Sequence, residues 1–186
     1  TDIRVRIVEG TDKEYKHYVR QVLVPNESLC KGAIGSSFLR ASANLDHPES
    51  MVIFYMYSGK ARLTERNLVA FSVCKKCDTE RLRYLYIDLQ CSKANGAILL
   101  KEIQEYAIEK GYPWLKLHAI PEAINYWRNQ AGFQFTRPMD GQFNESVEVQ
   151  ALADSVKPLR NTSDPLFDDL FQQLFGHDLQ SLSTNM

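Results

Sequence analysis

The chain has almost no excess charge of either sign: 22 Lys and Arg are matched by 23 Asp and Glu, for a formal net charge of -1. That balance offers no global footprint for nucleic acid and no basic face for a membrane surface. Long apolar runs are missing too, none approaching the roughly 20 residues that span a bilayer. No internal repeat is visible, and the chain starts at Thr1 with neither an initiator Met nor the charged-then-apolar pattern of a signal peptide. Cysteine is scarce, at Cys30, Cys74, Cys77 and Cys91. Cys74-Lys-Lys-Cys77 has metal-ligand spacing, but a structural zinc site wants a second such knuckle and none exists, so no metal is expected and ordinary half-buried thiols are. The sequons at Asn144 and Asn161 carry little weight without a secretory context. An intracellular, reducing location, the cytoplasm, is the expectation.

What is present is a chain of 186 residues, 44% hydrophobic and 24% charged, which suits one globular domain with a substantial core. Residues 3–8, "IRVRIV", alternate as a strand with one solvated face. The spacing of Tyr15, Tyr18, Val19, Val22 and Leu23 predicts a helix over 12–24, ending before Pro25. Asn26 then caps a second, imperfect helix interrupted by Gly32 and Gly35. Strands are expected at 51–57, 67–75 and 84–90 with short polar connections, which makes an antiparallel meander. A helix follows at about 95–110, closed by Gly111 and Pro113. After it come a strand at 114–120, a short helix opened by Pro121, a strand at 132–135 and a weak strand at 147–151. The arrangement is α/β with mostly antiparallel pairing, and the 95–110 helix can cross between two parallel neighbours. A parallel nucleotide-binding sheet is disfavoured, because it would need helices between the strands at 51, 67 and 84.

The strand "YLYIDLQ" runs into Cys91-Ser-Lys-Ala-Asn-Gly-Ala before the helix begins. Small residues at a helix start let a phosphate approach N–H groups that have no partner within the helix. A turn alone would also need small residues. A second passage, "AINYWRNQAGFQF" at 123–135, carries an aromatic pair ahead of Gly132-Phe133.

With this element order, the two passages resemble the GNAT superfamily of acyl-coenzyme A-dependent N-acetyltransferases over about residues 1–150. The resemblance implies a mixed, mostly antiparallel central sheet with helices on both faces. The family's loop reads Gln or Arg, two residues, Gly, one residue, then Gly or Ala; the matching positions here run from Cys91 to Gly96. Cys91 stands where Gln or Arg is usual and Ala94 where Gly is usual. The resemblance implies acetyl-coenzyme A as acyl donor. Its pyrophosphate would lie on the consecutive N–H groups of Lys93, Ala94, Asn95, Gly96 and Ala97, and its pantetheine on the backbone of Leu89 and Cys91. Lys93 either adds charge to that site or is a solvated loop lysine.

In the aromatic slot stands Tyr126 or Trp127, of which only Tyr126 can protonate a leaving thiolate. For the base, Asp88, Glu80 and His118 are the candidates, or a water relay. The acceptor segments mix acidic Asp46, Glu49, Asp140 and Glu145 with few basic residues, so a primary amine is expected, on a polyamine-like molecule or a lysine side chain. The alternative is a non-catalytic GNAT-fold module that binds acyl-coenzyme A or a protein. Residues 1–156 would form the acetyltransferase domain and 157–186 a tail. In that tail Leu166, Phe167, Leu170, Phe171, Leu174 and Phe175 stripe one helix, to be covered by the domain itself, a second copy or another protein.

Overall fold

The computed structural model describes residues 2–30, 34–78, 83–93, 96–118, 134–136 and 144–148; of Gly96, Ala97, His118 and the last two segments it describes the backbone only. Seven strands form one sheet: β1 (Ile3–Glu9), β2 (Met51–Ser58), β3 (Leu68–Asp78), β4 (Arg83–Ser92), β5 (Trp114–His118), β6 (Gln134–Thr136) and β7 (Asn144–Glu148). They lie in the order β1-β2-β3-β4-β5-β7-β6, and every neighbouring pair is antiparallel except β4 with β5. The expected mixed, mostly antiparallel sheet is what forms. The weak strand expected at 147–151 forms earlier, at 144–148, because it takes its register from β5 through Leu115↔Val147.

Helices cover both faces of the sheet. On one, α1 (Tyr15–Tyr18), the irregular turns that follow it to Cys30, and α2 (Ser36–Ala43) bury Val19, Leu23, Leu29 and Leu39 against Ile53, Tyr55, Phe71, Val73, Leu89 and Cys91. On the other, α3 (Gly96–Lys110) buries Leu99, Leu100, Ile103 and Ala107, and the Tyr106 ring meets Phe54 edge-on at 5.4 Å. This packing explains why β2 reads as a continuous apolar run, since its residues from Met51 to Met56 are buried whichever face they point to. Gly111, at φ 77°, ends α3 in the left-handed conformation that costs glycine little.

The first helical segment departs from expectation. One α-turn widens to π geometry over Val19–Leu23 and tightens to 3-10 geometry over Val24–Cys30, passing through Pro25. Proline has no N–H to give, so the regular ladder cannot continue across it. Asn26 repairs the break: its Nδ2 donates to Val22 O at 2.7 Å and to Glu65 O at 2.9 Å. The expected second helix begins only at Ser36, after the extended Gly35, and ends at Asn44 with φ 53°.

Candidate active site

Within β4 the pairing changes midway. Tyr84 to Ile87 pair in parallel with Trp114 to Leu117, and Ile87↔Leu117 is the last of these pairs. On the other side, β3 pairs Cys74 with Ile87 but Val73 with Leu89, so Asp88 is an extra residue. Such a bulge bends its strand. Among the described residues, Asp88 to Ser92 therefore runs alongside β3 alone, while β5 pairs with β7 as far as His118↔Asn144. Among the described residues no strand pairs with β4 on that side beyond Ile87, and this open side, at the C-terminal end of the parallel pair, is the wedge.

The ladder to β3 decides which main-chain groups face that wedge. Lys93 N–H donates to Val69 O at 2.9 Å, and hydrogen-bonded pairs recur at every second residue of an antiparallel ladder. Cys91 and Leu89 thus turn their main-chain groups toward Phe71 and Val73, and Leu89 O also accepts from Ser72 Oγ at 3.1 Å. Gln90 and Ser92 present theirs to the open side. Leu89 and Cys91, expected to supply backbone contacts, thus spend main-chain groups on β3. Side chains alternate the other way, so Leu89 and Cys91 enter the core. Gln90 Oε1 and Ser92 Oγ are buried with no hydrogen-bond partner among the described residues.

Lys93, exposed, leads from β4 toward α3, whose first turn contains no acidic residue. A helix start free of carboxylates suits an anion. Strand amides that have no partner among the described residues suit an extended chain of amide groups, so the residues present fit coenzyme A. Ala94 and Asn95 lie outside the described residues, and Gly96 and Ala97 open the helix.

Cys91 corrects an expectation. Its sulfur is bonded to Cys30, with the two Cα atoms 4.9 Å apart and both residues fully buried. Ordinary thiols remain only at Cys74 and Cys77; burial pushes Cys74 up to about 12 and also raises Cys77, so both stay protonated at neutral pH. Among the described residues no three His, Cys, Asp or Glu side chains gather as metal ligands.

Beside the wedge, on the α2 face, lies a pocket of about 420 Å3. Asp88, Tyr84 and Tyr86 of β4 line it, with Lys75 and Cys77 of β3 and Ser42 near the end of α2. Ser42 Oγ donates to Asp88 Oδ2. Burial holds the Asp88 carboxyl above the usual aspartate range, opposed by the Ser42 hydrogen bond and the Lys75 charge. Burial also pushes Tyr86 up to about 12 and raises Tyr84, so both remain phenols. The Lys116 ammonium lies 4.6 Å from the Tyr84 ring centroid, a cation–π contact. A larger cavity, about 730 Å3 between Arg6, Glu14, His17, Arg62 and Glu65, is lined by none of the expected site residues among those described.

Of the residues expected from sequence, Asp88 is therefore in a pocket at the mouth of the wedge. His118 ends β5 opposite Asn144. Tyr126, Trp127 and Glu80 lie outside the described residues. Ser42, Lys75 and Tyr86 were not singled out from the sequence, and only a register placing β3 and β4 side by side could have found the last two.

A mixed, mostly antiparallel sheet with one parallel pair among the described strands, and helices on both faces, is the fold seen in GNAT acetyltransferases. Solved structures agree. The chain is similar to FeeM, an N-acyl amino acid synthase from uncultured soil microbes, at TM-score 0.57 and 14% identity over 82% of this chain and 93% of that one. It is also similar to a GNAT-family acetyltransferase from Listeria monocytogenes, at TM-score 0.52 and 15% identity over 78% and 94% of the two chains. The PaiA N-acetyltransferase from Thermoplasma acidophilum, in complex with coenzyme A, gives TM-score 0.52 and 12% identity over 80% and 99%. No family model matches the sequence, and no curated protein does. Identities this low establish the fold alone.

Proposed function

We propose that the protein is an N-acetyltransferase that moves the acetyl group of acetyl-coenzyme A to a primary amine. The observation that carries this reading is the edge of β4 beyond Ile87, which no strand pairs on the β5 side among the described residues, with a half-buried carboxylate, Asp88, as its first residue. In the balanced reaction an ammonium and an acyl thioester give an amide, a free thiol and one proton. The acceptor arrives protonated, since a free alkyl amine has a pKa of about 10.4, and must lose a proton before it attacks. Asp88 accepts that proton, and its raised affinity brings it closer to the working pH than an ordinary aspartate.

The free main-chain groups of Gln90 and Ser92 hold the pantetheine, while Lys93 and the start of α3 receive the pyrophosphate. Tyr126 supplies a proton to the departing thiolate, and His118 is the alternative relay. The coenzyme A bound by the Thermoplasma protein and the acetyltransferase fold of the Listeria protein support the donor assignment. A cytoplasmic setting is not part of this reading, because the Cys30–Cys91 disulfide favours an oxidising compartment. Residues 1–156 are taken as the catalytic unit and 157–186 as a docking tail; a shortened chain that melts and sediments like the full one would remove the docking role.

Calorimetric titration of acetyl-coenzyme A into the wild type and Gly96→Glu tests the donor site. Binding by the wild type, lost when a carboxylate enters the helix start, is the expected result. No binding by the wild type at about millimolar cofactor, some 4 kcal/mol of affinity, would overturn the enzyme reading.

A further inference from the structure

The acidic residues that suggested a polyamine or a lysine side chain are Asp46, Glu49, Asp140 and Glu145. Asp46 and Glu49 do not line the pocket, and the side chains of Asp140 and Glu145 lie outside the described residues. Among the described residues, the charged groups that line the pocket are one carboxylate and one ammonium. Asp88 is held by Ser42 rather than by Lys75, and among the described residues the Lys75 ammonium makes no hydrogen bond or ion pair. The two groups sit on adjacent strands on the same face, Lys75 opposite Tyr86 and Asp88 two positions further along β4. Diagonal neighbours of this kind stand about 7–8 Å apart. Their charges are thus close enough to act on one small molecule, and the two side chains form no direct ion pair with each other.

A polyamine would bring a second ammonium toward Lys75, which like charges oppose. A lysine side chain on a protein would bring nothing for Lys75 to bind. A molecule with an ammonium at one end and a carboxylate at the other meets both. The rest of the described lining sets Tyr84, Tyr86, Met51 and Ala41 beside the polar Asn44 and Cys77, and its aromatic and apolar part can cover a side chain of moderate size. The volume, about 420 Å3, is ample for one amino acid.

We infer that the acceptor is a free α-amino acid with an apolar side chain, its ammonium on Asp88 and its carboxylate on Lys75. The inference rests on the acyl-transfer reading above and narrows it. Lys75 is then the residue that sets acceptor specificity: it binds the end of the acceptor that does not react, and the amine end stays at the mouth of the wedge.

The test compares leucine, leucine methyl ester and isoamylamine, which share an apolar chain and an amine but differ in the carboxylate. Release of coenzyme A thiol from acetyl-coenzyme A gives kcat/KM for each, with wild type, Lys75→Met and Lys75→Glu. Leucine should exceed the amine and the ester by about 10-fold or more in the wild type, the value of one charge-assisted contact. Lys75→Met should bring the ratio near one, and Lys75→Glu should invert it. Equal or better turnover of the amine by the wild type would overturn the inference while leaving acyl transfer intact.

Calorimetric titration of leucine into the protein without acetyl-coenzyme A gives a readout independent of turnover. Leucine binding that Lys75→Met weakens, with no thiol release from any acceptor, would sink the acyl-transfer reading and leave the amino acid site standing. No leucine binding and no preference in turnover would overturn the site itself. Lys75 is exposed, so both variants should fold, and unchanged melting temperatures verify it.

Discussion

The two halves of β4 share one strand and behave as two different materials. Arg83 to Ile87 lies between neighbours, with β3 on one side and, from Tyr84 on, β5 on the other, so its main-chain groups are spent inside the sheet. Among the described residues Asp88 to Ser92 has β3 alone, with no strand on its second edge. What replaces β5 as an anchor for the free half is the bond from Cys91 to Cys30, which ties the strand to the helical layer above it. The paired half holds the fold, and the unpaired half can hold a ligand because its hydrogen-bonding capacity is not exhausted. One extra residue, Asp88, marks the change.

The sharpest way to break the comparison is at that residue. Asp88→Asn keeps the shape and can still accept from Ser42, but it cannot take a proton. We expect turnover to fall by roughly 10²–10⁴-fold, the usual contribution of a positioned general base, with acetyl-coenzyme A affinity unchanged. Steady-state kinetics together with calorimetry check this, and a variant with near-normal kcat would transfer the base role to His118 or to water.

One residue earlier, the opposite outcome is expected. Ile87 is fully buried and paired on both sides, so Ile87→Ala removes packing from the closed half. Its cost in stability should be about 2–5 kcal/mol, read by urea denaturation, with the activity of the remaining folded fraction retained. If Ile87→Ala instead spared stability and removed activity, the division of β4 into a structural and a functional half would be wrong.

The meander was legible because alternation and buried apolar runs report strands directly, and α3 because Leu99, Ile103, Tyr106 and Ala107 recur at helical spacing. Asp88 could be named from sequence as a carboxylate beside the loop. Its standing as the bulge, and the turning of Leu89 and Cys91 main-chain groups toward β3, could not, because both depend on the register between β3 and β4, and a single inserted residue shifts which groups face outward. The Cys30–Cys91 bond joins residues separated by 61 positions, and no local pattern records such a pairing. Helical periodicity ran up to Pro25 and past it without revealing that the chain changes from π to 3-10 geometry there.

That disulfide gives the third prediction. Cys30→Ser with Cys91→Ser should lower stability by about 2–4 kcal/mol, as expected for a cross-link that closes a long loop. The comparison sharpens it: amide hydrogen exchange should quicken over 88–93, where the bond replaces a strand neighbour, and stay slow over 84–87, where β5 remains. Uniform quickening would mean that the bond stabilises the whole domain and has no special share in the free half.

The smallest effect expected is in the pH dependence of stability, and it separates burial of Asp88 from its chemistry. Burial raises its pKa in the folded chain above the unfolded value, about 3.9 for an aspartate. Between those two values the folded state holds a proton that the unfolded state has released, so stability falls as pH rises through that window and is level above it. Asp88→Asn has no such proton. Relative to the wild type it should therefore gain stability as pH climbs from below the ordinary aspartate range toward neutrality, with the gain complete once Asp88 is ionised in both states. Melting temperatures of the two proteins across that range measure the difference directly. A gap independent of pH would show that the Ser42 hydrogen bond and the Lys75 charge cancel the cost of burial, and the raised affinity that suits Asp88 to proton acceptance would have to come from the bound acceptor.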